Sequence, residues 1–116
     1  MATLTTQVIV RTGVAPSYVT PAGGGDACEV GDDIFLHVKN ASGSPVTVTL
    51  AIPSSNSGYS GAVYTNTAVS VPATTGDRMI GPITAGLYKD PTTGLCTITT
   101  SAQTSVTIAC IKLQEA

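Results

Sequence analysis

Asp33-Ile34-Phe35-Leu36-His37-Val38-Lys39, then Asn40-Ala41-Ser42-Gly43-Ser44-Pro45, then Val46-Thr47-Val48-Thr49-Leu50, is the stretch that decides the fold class. Successive side chains of a strand point to opposite faces, so Ile34, Leu36 and Val38 share one face, and Val46, Val48 and Leu50 do likewise. The residues between the two runs are those that turn a chain. The stretch therefore predicts two strands joined as a β-hairpin with a medium loop.

The same pattern recurs outward from it. Leu95 to Thr100 and Thr104 to Leu113 predict a second hairpin, with Cys96 and Ile98 on one face and Val106, Ile108 and Cys110 on one face. Thr67 to Val71 reads as a strand with Val69 and Val71 inward. Gln7 to Arg11, Ala62 to Tyr64 and Thr84 to Tyr88 read as shorter strands. Gly81-Pro82 must bend the chain or lie at a sheet edge, because proline has no N–H for a ladder. No segment carries a 3.6-residue apolar period over a helical length. The expected fold is all-β, a single β-sandwich or small barrel of about eight short antiparallel strands.

Composition agrees with that expectation. Only 10% of the 116 residues are charged, against roughly 25% in an ordinary soluble domain, and nineteen threonines supply polarity instead. Threonine is β-branched, so it suits a strand while giving the solvent face a hydroxyl. Val14 to Asp32 holds Pro16, Pro21 and Gly23-Gly24-Gly25, an unusually long irregular stretch for a compact domain. Residues 1–32 are accordingly expected to form an N-terminal strand or arm with a Gly/Pro-rich loop, partly detached from a β domain spanning 33–116.

Charge bears on partners. The net charge is −2, and Arg11, Lys39, Arg78, Lys89 and Lys112 are scattered. Nucleic-acid binding draws on clustered cations to release counterions from phosphates, so no nucleic-acid partner is expected. No run of about eighteen apolar residues suggests a membrane span. The N-terminal Met1 to Thr6 lacks the cationic start and apolar region of a signal peptide, so synthesis in the cytoplasm is expected.

Residues with chemical potential are few. His37 is the only histidine, and its position on the face opposite Ile34, Leu36 and Val38 reads as an outward strand residue without a sequence partner. Asp26, Glu29, Asp32 and Asp33 form an acidic stretch that lacks the EF-hand spacing and reads as a solvated loop. The glycine run does not fit a phosphate-binding loop. Three cysteines, an odd number, suit a reducing compartment. If Ile98 pairs with Ile108, Cys96 falls opposite Cys110; a tighter register puts Cys96 opposite Ile108. Both a pair of buried thiols and a disulfide stay open, and Cys28 has no evident partner. Neither a cofactor nor a metal is expected, and no acid–base pair marks an enzyme.

Phe35-Leu36-His37-Val38-Lys39-Asn40, Ser42-Gly43 and Val46-Thr47-Val48-Thr49, with Ile80-Gly81-Pro82, Thr104-Ser105-Val106-Thr107-Ile108 and the early Arg11-Thr12-Gly13, resemble small virion structural proteins of tailed bacteriophages, most closely head decoration (capsid cement) proteins. The resemblance implies a protein on the outer capsid surface that binds the major capsid protein at capsomer junctions and stabilises the shell. It also implies a homo-oligomer, with a trimer favoured. On that reading Leu4, Val8, Val10, Arg11, Val14 and Tyr18 of the arm are candidate protein-interaction residues, since an extended arm can add a strand to a neighbour's edge. The alternatives are a tail or head–tail connector component and a carbohydrate-binding β-sandwich, whose candidate platform residues are Tyr18, Tyr59, Tyr64, Tyr88 and Phe35.

Overall fold

The computed structural model describes residues 2–56, 58, 61 and 65–113. Among these residues it is all-β apart from two single turns of helix. The strands are β1 (Ala2–Thr3), β2 (Thr6–Ile9), β3 (Asp26–Cys28), β4 (Ile34–Asn40), β5 (Val46–Leu50), β6 (Thr67–Val71), β7 (Gly76–Ile80), β8 (Cys96–Thr100) and β9 (Val106–Leu113). A 3-10 turn covers Ser54–Asn56, and α1 covers Ala85–Tyr88. The expected strand Ala62 to Tyr64 lies outside the described residues.

The strands form two sheets, of order β1-β3-β8-β5-β6 and β2-β9-β4-β7. One hydrophobic cluster lies inside, drawn from both. Ile34, Leu36 and Val38 of β4 and Ile108 and Cys110 of β9 join Val46, Val48 and Leu50 of β5, Val71 of β6, and Cys96 and Ile98 of β8. The inward faces read from alternation are thus the buried ones, Val69 being only partly so.

The pairing differs from the expected hairpins. β4 pairs with β7 and β9, while β5 pairs with β6 and β8. Residues 41–45 therefore carry the chain from one sheet to the other. The closing segment does the same, since β8 pairs with β3 and β5 and β9 with β2 and β4. The period of two fixes which face a side chain takes but not whether the next strand lies beside it or across the core, because both arrangements bury the same residues.

Three such crossings meet at one end of the molecule. Ala41 N–H donates to Ser105 O at 2.9 Å, and Thr74 N–H donates to Ser42 O at 2.8 Å. Asn40, 1% exposed, is their hub. Its Nδ2 donates to the carbonyls of Ser44, Val71 and Pro72, and its Oδ1 accepts from the Ser42 N–H and Oγ–H. A buried amide is tolerated only when so satisfied.

Two further expectations change. Thr84 to Tyr88 is a helical turn rather than a strand, with Leu87 and Tyr88 N–H donating to Thr84 O. Adjacent Leu87 and Tyr88 both pack on the core, which a strand, placing neighbours on opposite faces, does not allow. Not all pairing is antiparallel either: β1 runs parallel to β3, and β2 parallel to β9. Parallel neighbours need a connection of a dozen residues or more, and the stretch from Leu4 to Gly25 supplies it for β1 and β3.

Residues 2–9, read from sequence as part of a partly detached arm, are docked here. They add an edge strand to each sheet, and Leu4 at the crossover between them is 6% exposed. Cys28, placed in a loop by the sequence reading, is a core residue of β3.

Candidate functional site

The outer face of the β2-β9-β4-β7 sheet carries the chemistry of this chain. Alternation that turns Leu36 and Val38 inward turns Phe35, His37 and Lys39 outward. The register sets Phe35 beside Ile111, His37 between Ala109 and Met79, and Lys39 beside Asp77. An apolar strip of Ile9, Phe35, Ile111 and Met79 results, with Leu113 beside Ile9.

Residues 10–19 run as a strap over part of this face. Gln7 holds it by a pair of bonds to the Ser17 backbone, Nε2–H to Ser17 O at 2.7 Å and Ser17 N–H to Oε1 at 2.6 Å. Val19 exchanges two backbone hydrogen bonds with Ile108. Tyr18 then reaches inward across β9 to β4. Ala109 is the β9 residue in register with His37.

There Tyr18 Oη meets His37 Nδ1 at 2.6 Å, and His37 Nε2 pairs with Asp77 Oδ1. The two rings pack edge to face, with centroids 5.4 Å apart, and Lys39 Nζ lies 4.4 Å from the Tyr18 ring centre. A carboxylate accepts only, so His37 Nε2–H donates to Asp77, and in the neutral imidazole this tautomer leaves Nδ1 to accept the phenol O–H. A hollow of about 370 Å³ opens beside this chain, lined by Ile9, Val14, Pro16, Phe35, Met79 and Ile111 with Tyr18 and His37. His37 thus has two partners that the sequence reading did not find.

The interaction residues expected from sequence separate into three groups. Leu4 is buried in the core, and Val10 is half-buried. Val8 and Val14 are each 42% exposed, and Arg11 is exposed. Tyr18 is half-buried and engaged with His37. Sequence reasoning missed Met79 and Leu113, which are 68% and 52% exposed. Met79 carried no sequence signal, because its place beside His37 depends on the pairing of β4 with β7.

The acidic stretch does not converge. Asp26 is buried and accepts from Ala22 N–H at 3.0 Å, while Asp33 faces Lys112 at 4.0 Å. Of the aromatic residues considered as a sugar platform, Tyr88 is buried with its hydroxyl on Thr67 at 2.7 Å. Tyr59 and Tyr64 lie outside the described residues.

The three cysteines, in contrast, do converge. Cys28 stands opposite Cys96 in the β3–β8 ladder, which replaces the Cys96–Cys110 and Cys96–Ile108 registers considered from sequence. Cys110 instead stands beside Leu36 and Thr6. All three thiols are free and buried. Hydrogen bonding with the Cys28 thiol and then burial push the Cys110 thiol well up. The Cys110 thiol pulls Cys28 down, but hydrogen bonding with Cys96 and burial outweigh it, so Cys28 also ends well above the ordinary thiol value.

No family model, curated protein or solved structure matches the chain.

Proposed function

We propose that this chain is a non-enzymatic virion protein, a head decoration protein that binds the major capsid protein at capsomer junctions on the outer surface. The single observation that carries the reading is the exposed apolar face around Phe35, with Met79 68% and Leu113 52% exposed. Large exposed apolar residues gathered on one sheet face mark a protein-binding surface. In this reading the two sheets pack as a β-sandwich, a rigid base for that face. The N-terminal segment contributes Val8, Val10, Arg11, Val14 and Tyr18 along the rim of the contact, and release of residues 2–9 from the sheet edges would supply an arm to a neighbour. A trimer fits a site where capsomers meet, and repetition over the lattice turns modest single contacts into firm attachment.

The test is co-sedimentation with heads assembled without this chain. The wild-type protein is expected to pellet with them, and the Met79→Glu/Leu113→Glu double variant, folded by circular dichroism, is expected to stay in the supernatant. Retention of that variant at wild-type occupancy overturns the assigned face. Rings or tubes of the purified protein in electron micrographs overturn decoration in favour of a connector.

A further inference from the structure

We propose that Tyr18 is an activated phenol, a nucleophilic modification site for small apolar acyl donors, with His37 as its base and Asp77 as the positioning residue. The inference does not rest on the capsid reading, although its hollow shares Phe35 and Met79 with the contact face proposed there.

Three features combine. First, the connectivity is that of an activated nucleophile: a hydroxyl within hydrogen-bond reach of a base, and the base oriented by a third group. Tyr18 Oη to His37 Nδ1 is 2.6 Å, and Asp77 Oδ1 holds the far nitrogen. With Nε2–H given to Asp77, the neutral imidazole has its remaining lone pair on Nδ1, toward the phenol. Second, the pairing is partly shielded, with the His37 side chain 12% exposed, and Lys39 Nζ sits 4.4 Å from the ring centre. A cation there favours the negative charge that develops on the phenol oxygen. Third, the hollow of about 370 Å³ beside Tyr18 and His37 is walled by Ile9, Val14, Phe35, Met79 and Ile111. Its chemistry suits a short hydrocarbon chain rather than a charged group.

The step balances without any redox partner. Tyr18 Oη bonds to the carbonyl carbon of an ester while its proton passes to His37 Nδ1. The tetrahedral adduct then breaks the bond to the leaving oxygen, which takes the proton from His37. The products are a Tyr18 ester and one alcohol, and the reaction is stoichiometric.

The probe is p-nitrophenyl acetate, with release of nitrophenol followed by absorbance and the acetylated residue located by peptide mass mapping. N-acetyltyrosine amide is the reference phenol. Tyr18 is expected to acetylate faster than the reference at neutral pH by roughly 100-fold, the usual scale of general-base assistance. The reference phenol reacts in proportion to hydroxide, whereas Tyr18, served by a fixed base, is expected not to track hydroxide in that way. His37→Gln keeps hydrogen-bonding groups but has no base, and is expected to bring Tyr18 to the reference rate. Asp77→Asn, at a side chain 54% exposed and with folding checked by circular dichroism, is expected to slow the reaction several-fold. If Tyr18 reacts no faster than the reference, or follows the reference pH profile, the proposal falls. It also falls if folded His37→Gln reacts like wild type.

Discussion

The side-chain amide of Asn40 on β4 donates to the carbonyl of Val71, the last residue of β6, at 3.2 Å. One buried residue thereby ties the crossing after β4 to the crossing after β6. Asn40→Leu fills a similar volume but removes the amide from the Val71 and Pro72 carbonyls and the acceptor from the Ser42 N–H. It is expected to lower the stability by about 3 kcal/mol, the scale of several buried polar groups losing partners. Asn40→Asp is expected to do no better, because a carboxylate would face three carbonyl oxygens. Urea unfolding at neutral pH measures both.

Gly76 is the second fixed point of this end. It stands opposite Asn40 at the start of β7, and a Cβ there would overlap the carbonyl oxygen of Pro72. Backbone lies against backbone, so no flexible side chain can give way. Gly76→Ala is expected to cost more than about 3 kcal/mol, whereas Gly43→Ala, where a Cβ meets nothing within 4 Å, is expected to stay within about 0.5 kcal/mol. Thermal melting of the two variants side by side decides it.

Thr74 in the same turn has φ 70°, a left-handed conformation that a β-branched side chain strongly resists. Its N–H is held by Ser42 O at 2.8 Å, which keeps the turn in place despite the strain. Thr74→Gly removes the clash while keeping that bond. It is expected to raise stability by about 1 kcal/mol, read as an upward shift of the urea midpoint.

These particulars also show what was legible beforehand. Faces were readable: Ile34, Leu36 and Val38 are inward because alternation is a property of the strand alone. Partners were not, since 41–45 and 101–105 have the composition of hairpin turns yet switch sheets. The available signal was Asn40 itself, a polar residue in register with three inward apolar ones, where a plain hairpin would carry an apolar residue. The Tyr18–His37–Asp77 chain was illegible for a different reason. Its members lie 19 and 40 residues apart in sequence, so no spacing motif exists, and only the register of β4 with β7 and the docking of the strap on β9 bring them together. Cys28 joined the other thiols in the same way.

The thiol cluster sets a pH limit. Cys28 and Cys110 are both held above the ordinary thiol value of 9.0 in the folded chain. Above that value the unfolded chain releases protons that the folded chain keeps. Their stabilising contribution is therefore whole below pH 9.0 and is lost as pH rises beyond it. The slope is up to about 1.4 kcal/mol per pH unit for each thiol. Urea midpoints followed from about pH 8 to about pH 10 should fall, and should fall less steeply in Cys110→Ala. An equal slope in that variant would remove Cys110 as a source.

Leu4 decides whether the N-terminal segment belongs to the domain. It is 6% exposed, lies in the core cluster, and its N–H donates to Ala27 O at 2.8 Å. A docked segment makes Leu4→Ala costly by about 2–4 kcal/mol, the transfer of the side chain plus the cavity left behind. A segment that is detached in solution makes the same change nearly neutral, because Leu4 would be as exposed before unfolding as after it. Val8→Ala is the control: Val8 is 42% exposed and should cost below about 0.5 kcal/mol either way. Hydrogen exchange adds a direct view, with the Leu4 amide protected nearly as well as those of β3 if β1 is docked. A large loss in Leu4→Ala together with that protection means that any use of residues 2–9 as an arm must begin by breaking β1 and β2 from their sheets. Such an arm would exchange only when a partner edge replaces the hydrogen bonds it gives up.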